Sequence, residues 1–276
     1  MTEGDRDGSE QNTRRSGSFG AVASAYERFR PGPPPAAIGW MIPDSTGTVV
    51  DLGAGTGAMT RELLHQVARV IAIEPDERMR GILASNFPRV TALDGSGESM
   101  PLETSSVDVV LASSSWHWMD TDRALQEVAR VLVPGGTLGV VWSGPDPDGT
   151  FVSQAQAMLS EMSSGQVEFG TRSPNEPDLG REVMDTENRV ETVLRIPEDS
   201  SFAQPEHKTL TWDVALTADE LIGLLGTFSW IITMPEDRRA QVVSLARQVL
   251  RDGLGISGDV TADVQYRSEV WRTHLN

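Results

Sequence analysis

Between residues 48 and 142, short runs rich in β-branched residues alternate with stretches of helical spacing, and no other feature constrains the chain as strongly. Strands separated in this way can lie side by side only through crossover connections. The pattern therefore predicts an α/β fold, an open and mostly parallel sheet with helices on both faces. Strands are expected over 48–52, 70–74, 90–93, 107–112 and 137–142, with helices over 57–68, 76–85 and 123–132. Pro134, Gly135 and Gly136 predict a tight turn before the fifth strand.

The flanks read differently. Residues 1–18 carry no periodic apolar residue and predict a flexible tail. Phe19, Val22, Tyr26 and Phe29 recur at helical spacing up to the Pro31–Pro35 cluster, and a second helix runs through Ala36, Ile38 and Trp40. Beyond Ser143 the spacing predicts helices over 151–162, 218–228 and 236–251, and strands over 209–214 and 264–271. The expected organisation is a tail at 1–18, amino-terminal helices at 19–45, a core at 46–145, and an α-rich cap with terminal strands at 146–276 that completes one domain.

Composition narrows the chemistry. The 276 residues, 38% of them hydrophobic, suffice for a substantial core. With a formal net charge of −17 the chain repels phosphate backbones and anionic lipid, so neither nucleic acid nor membrane is an expected partner. No cysteine is present to make a disulfide, a thiolate ligand or a thiol nucleophile. His65, His117, His207 and His274 lack ligand spacing, so no metal site is expected. The apolar runs are far shorter than a bilayer and no signal-type segment opens the chain, which predicts a cytoplasmic protein.

Val49-Val-Asp-Leu-Gly-Ala-Gly-Thr-Gly57 ends the first strand in a bend nearly free of side chains. In an open parallel sheet, ligands bind beyond the carboxyl ends of the strands, where this bend lies. Gly53, Gly55 and Gly57 permit a tight turn, close approach of a ligand to the backbone and a helix start that favours an anion. Glu74 ends the second strand at the separation where an acid accepts hydrogen bonds from ribose hydroxyls. Together these predict a nucleoside site. Gly53, Gly55 and Ala58 also satisfy the relaxed dinucleotide fingerprint, so an NAD-dependent oxidoreductase stands as an alternative. Asp51, and the absence of Arg or Lys until Arg61, favour a cationic ligand such as S-adenosylmethionine over a pyrophosphate.

Six motifs in order carry a family resemblance: Asp51-Leu-Gly-Ala-Gly-Thr-Gly57, Glu74-Pro75-Asp76 with Met79, Gly95-Ser-Gly-Glu98 with Pro101-Leu102, Ser106-Val-Asp108, Trp116-His-Trp118, and Glu127-Val-Ala-Arg-Val-Leu-Val-Pro-Gly-Gly136. The chain resembles the class I S-adenosylmethionine-dependent methyltransferases, in particular the small-molecule branch with trans-aconitate and ubiquinone/menaquinone-type enzymes. The resemblance implies a Rossmann-like core. In it the loop of Gly53, Ala54, Gly55, Thr56 and Gly57 cradles the methionine part of the cofactor, Glu74 holds the ribose, and Pro75 and Met79 of the same motif belong to the cofactor set. Ser96, Gly97 and Glu98 flank the adenine. Where the family often has Asp, this chain has Ser96, so the adenine amine is left to the Ser96 hydroxyl, Glu98 or backbone. The resemblance further implies a lid containing Phe19, Tyr26 and Arg30, with Arg30 against the methionine carboxylate. Ser113, at the end of the fourth strand, joins the cofactor set.

Methyl transfer is an in-line displacement from an activated sulfonium, so the protein has chiefly to align the reactants and exclude water. A base is needed only where the acceptor arrives protonated, and His117 is the candidate. Trp116, Trp118, Trp142 and Trp230 offer an apolar acceptor wall, although at least two of them are expected in the core. The reading is a methyltransferase acting on a small-molecule acceptor, monomeric or homodimeric, in bacterial secondary or quinone-like metabolism. A non-catalytic S-adenosylmethionine-binding protein is the further alternative.

Overall fold

The computed structural model describes residues 29, 31–44, 46–146, 148–154, 194–227, 229–232 and 234–276, without the side chains of 229 and 230. The expected tail at 1–18, the Phe19–Tyr26 stripe and most of the expected helix over 151–162 lie outside these residues. Helix α1 spans Pro35–Met41 with proline at its first position, where the missing N–H has no intrahelical partner to lose. Strands β1 (Thr48–Leu52) and β2 (Arg69–Ile73) are separated by the short helix α2 (Ala58–Leu63). Helix α3 (Glu77–Asn86) starts at Asp76, whose carboxylate accepts from the N–H groups of Arg78 and Met79. Strands β3 (Thr91–Leu93) and β4 (Val107–Ser113) follow. Helix α4 (Thr121–Val131) is capped by Asp120 and buries Ala124, Leu125, Val128 and Val131 along one stripe.

Strand β5 (Leu132–Pro145) begins where α4 ends. The expected turn at Pro134–Gly136 is instead a bulge inside this strand. Val107 pairs with Leu132 and Val109 with Thr137, so the intervening residues are looped out and Gly135 takes φ +76. Glycine and proline mark an irregular backbone in either case, and only pairing with β4 distinguishes a turn from a bulge. Strands β6 (Glu206–Thr217) and β7 (Thr261–His274) run longer than their sequence patterns imply. Helix α5 (Ala218–Leu225) opens on a Thr217–Glu220 capping box, followed by α6 (Ser229–Ile232) and α7 (Glu236–Gln248). The helix expected to continue to 251 widens at Val249–Gly253, where the Leu254 N–H donates to the Val249 carbonyl five residues back.

The seven strands form one sheet in the order β3-β2-β1-β4-β5-β7-β6. The pairings from β3 through β5 are parallel. Contacts of Gly136 with Leu275, Thr137 with His274 and Ser143 with Ser268 run in opposite directions, which makes β7 antiparallel to β5. The sheet is therefore mostly parallel with one reversed strand. Successive residues of β1 and β2 are buried, which requires cover on both faces. One such core joins Ile38 and Met41 of α1, Leu63 of α2 and Leu83 of α3 to Val49, Leu111, Val141 and Val270 of the sheet. Two compact units are distinguishable, one from the described residues within Met1–Ser143, Glu191–Leu210 and Ser268–Asn276, the other from those within Gly144–Val190 and Thr211–Arg267. All the site geometry below belongs to the first.

Candidate active site

The bend after β1 is fixed by the neighbouring strand. The N–H groups of Gly53 and Ala54 both donate to the Ile73 carbonyl at the end of β2, at 2.8 and 3.0 Å. Gly53 and Gly55 adopt φ +67 and +57, a region that costs side-chain-bearing residues about 1–2 kcal/mol. Their surroundings differ. A Cβ on Gly53 would lie 2.6 Å from the Ser115 Cβ, whereas one on Gly55 would meet nothing within 4 Å. At Gly57 the place of a side chain is taken by the Phe87 ring, so that glycine serves packing.

Two acids sit beneath this bend. Glu74 is buried, and its carboxylate accepts from the Gly55 N–H at 2.8 Å and from the Asp76 N–H at 2.9 Å. Burial pushes its carboxyl up from the usual range, opposed by these two donors and by Arg80. Asp51 is 1% exposed; one oxygen accepts from the Thr60 hydroxyl at 2.5 Å, and the other, Oδ1, is buried without a partner. Burial raises this carboxyl to about 7, with Thr60 pulling the other way and the charge of Glu74 adding to the rise. The Thr56 hydroxyl is likewise buried without a partner.

The loops after β3 and β4 join at the same strand ends. Ser96 and Ser99 exchange backbone hydrogen bonds around buried Gly97, where a Cβ would collide with the Met119 thioether. Glu98 accepts from the Asp120 N–H at 2.7 Å, and the Ser115 hydroxyl donates to the Leu52 carbonyl at 2.8 Å. Ser115, Met119 and Arg80 were not singled out from the sequence. The signals available were their places after β4 and one turn into α3, and only contacts give those places meaning. Met79 is buried on α3 and Ser113 half-buried at the end of β4.

His117 lies exposed on the single helical turn Trp116–Trp118. Its ring centroid is 4.4 Å from that of Trp118 and 4.8 Å, edge-on, from that of Trp142. The four expected wall tryptophans divide. Trp118 and Trp142 are half-buried beside His117, while Trp116 is 2% exposed with an indole N–H that has no partner. The Trp230 side chain, with Phe19, Tyr26 and Arg30, lies outside the described residues. Among the described residues, no group of three or more His, Asp or Glu side chains is arranged to hold a metal ion, and no helix is long and apolar enough to cross a membrane.

These features fit a compact, cationic, nucleoside-bearing ligand. Gly55 leaves open space against bare backbone, Asp51 presents an unpartnered buried oxygen, and Arg61, the first basic residue after the bend, lies 5.9 Å over the Phe87 ring. A strand order with one reversed strand, and acids under a glycine bend at the strand ends, define a Rossmann-like nucleotide-binding type of core. Known proteins agree. The methyltransferase domain model matches residues 50–140. An uncharacterized methyltransferase of Mycobacterium tuberculosis is 36% identical over 233 residues, covering 84% of this chain and 85% of its own. An uncharacterized methyltransferase-like protein from Schizosaccharomyces pombe is 28% identical over 230 residues, 82% of each chain. The solved structure of a candidate type II methyltransferase from Anaeromyxobacter dehalogenans shares the fold, with a TM-score of 0.63, 24% identity, and coverage of 89% of this chain and 97% of that one. The chain belongs to the class I S-adenosylmethionine-dependent methyltransferases, and it is an enzyme with that cofactor. Nothing in these likenesses favours the NAD-dependent alternative.

Proposed function

We propose that the enzyme methylates a small-molecule acceptor, with the Gly53–Gly57 bend and Glu74 as the cofactor seat and the His117 turn facing the acceptor. The observation that carries this reading is the open space at Gly55, whose own N–H fixes the Glu74 carboxylate. A carboxylate has lone pairs beyond the two that accept from Gly55 and Asp76, and these are assigned to the ribose hydroxyls. Asp51 is assigned to the cofactor's ammonium, whose arrival would give Oδ1 a donor. Ala54, Thr56 and the three glycines line the methionine part, Pro75 and Met79 the ribose side, and Ser96, Gly97, Glu98 and Ser113 the adenine side. The lid role of Phe19, Tyr26 and Arg30 and the wall role of Trp230 stay with this proposal, as does a cap function for 146–276.

When bound, S-adenosylmethionine supplies a methyl group on a positively charged sulfur. The chain's own contribution is orientation, exclusion of water and, for a protonated nucleophile, removal of a proton. His117 is assigned the proton, and Trp118 and Trp142 shield it. Trp116, being buried, supports the turn from below. The formal charge of −17 favours a neutral or cationic metabolite over nucleic acid, in keeping with a cytoplasmic enzyme of secondary or quinone-like metabolism acting as monomer or homodimer. The test is a panel of small hydroxyl- and amine-bearing metabolites with methyl-labelled cofactor. Label appearing in a small product supports the reading, and label appearing only in added RNA, DNA or protein contradicts it.

A further inference from the structure

Arg80, on α3, reaches back across the turn that joins β2 to this helix. Its Nη1 donates to the Glu74 carbonyl at 2.6 Å and to the Pro75 carbonyl at 3.1 Å, and it pairs with Asp94 at 3.2 Å. The Arg80 side chain is 21% exposed and that of Asp94 is 74% exposed. An ion pair with so exposed an acid contributes little, so the two carbonyls are the consequential partners. Glu74 is thus held at both ends, its main chain by a guanidinium and its carboxylate by the N–H groups of Gly55 and Asp76.

We propose that Arg80 is a positioning residue for the cofactor site, clamping the Glu74–Pro75 carbonyls so that the Glu74 carboxylate keeps its direction. This inference rests on the assignment of the ribose to Glu74. A second effect runs the same way. The charged groups acting on Glu74 are Asp76 at the start of α3, which favours its protonation, and Arg80, which opposes it; the charge of Glu74 in turn raises the Asp51 carboxyl. Loss of Arg80 would both loosen the turn and let Glu74 hold a proton to higher pH.

The test is calorimetric titration of the full chain with S-adenosylhomocysteine, which does not turn over, between pH 5 and 9. The variants are Arg80→Met, Arg80→Lys, Glu74→Ala and the double variant Arg80→Met/Glu74→Ala. Arg80→Met is expected to weaken binding about tenfold at neutral pH, the size of a lost charge-assisted contact, with the deficit growing as pH falls. Arg80→Lys keeps the charge and should recover most of the affinity. The double variant should bind no more weakly than Glu74→Ala alone, because the clamp acts through that carboxylate. If Arg80→Met binds as wild type while Glu74→Ala is weakened, the clamp is refuted and the Glu74 assignment stands. Wild-type binding by Glu74→Ala removes both. Losses that add in the double variant give Arg80 a role of its own and overturn the inference. Should Arg80→Met melt too early to titrate, the pH midpoint of binding by the charge-free Arg80→Gln decides: a shift to higher pH than wild type with an unchanged melting temperature supports the clamp, and no shift overturns it.

Discussion

The bend between β1 and α2 and the turn after β4 stand at the same edge of the sheet, yet they are built on opposite principles. The bend is made of backbone: glycines at positive φ, two N–H groups fixed on the Ile73 carbonyl, and acids buried beneath. The turn is made of side chains, an exposed imidazole flanked by two half-buried indoles. A seat built of backbone tolerates few residue types, so one ligand can impose it on a sequence. A surface built of side chains can change with every substitution without disturbing the fold. Under the proposed assignments, the difference would separate the reaction, supported by the bend, from the choice of acceptor, left to the turn.

Ranked by effect on cofactor affinity, substitutions should fall into the order this division requires. Gly53→Ala comes first. It combines a left-handed φ with a Cβ 2.6 Å from Ser115, and should cost about 2–4 kcal/mol of stability and abolish measurable binding. Chemical denaturation and titration would check both. Gly55→Ala, with the same φ sign but nothing within 4 Å, should lose binding while giving up only about 1–2 kcal/mol of stability. Equal stability losses for the two would erase the distinction between a packed and an open glycine.

Glu74→Ala should follow, weakening the cofactor by about 1–3 kcal/mol with the fold intact, as titration beside a melting curve would record. Asp51→Asn acts chiefly on pH dependence. The folded carboxyl titrates near 7 against an ordinary 3.8, so the folded state binds the proton more tightly. The stability this gives is complete below about 4 and is lost as pH rises towards 7, with a slope of up to about 1.4 kcal/mol per pH unit. Denaturation of Asp51→Asn between pH 4 and 8 should show that slope flattened, and an unchanged slope would place the proton elsewhere. His117→Ala should have the smallest effect on cofactor affinity, within about twofold, while turnover falls at least tenfold. A weakened cofactor with undiminished turnover would reverse the roles of bend and turn.

The legibility of the sequence follows the same line. Parallel strands and the glycine bend are readable, because β-branched periodicity and fixed spacing are local properties. The bulge at Pro134–Gly136 looks like a turn in sequence, since its nature depends on register against Val107 and Val109. Strands β6 and β7 outrun their alternating patterns, and among the described residues contacts of Arg272 with Glu206 and of His274 with Thr137 lie beyond those patterns. Spacing alone puts Asp51 in the bend as an acid; its burial and its hydrogen bond to Thr60 depend on packing that spacing does not reveal. Ser115, Met119 and Arg80 matter only through partners distant in the chain or on the backbone, which leave no residue-type signature. Trp116 and Trp118, two positions apart, look alike in sequence and part company on a single helical turn.

Titration of the purified full chain with S-adenosylmethionine, S-adenosylhomocysteine and NAD tests most directly whether the glycine bend seats a methyl donor. Saturable one-to-one binding of the donor and its demethylated product, weakened by Glu74→Ala and absent for NAD, is the expected result. Retention of NAD with no response to either sulfur compound would contradict it.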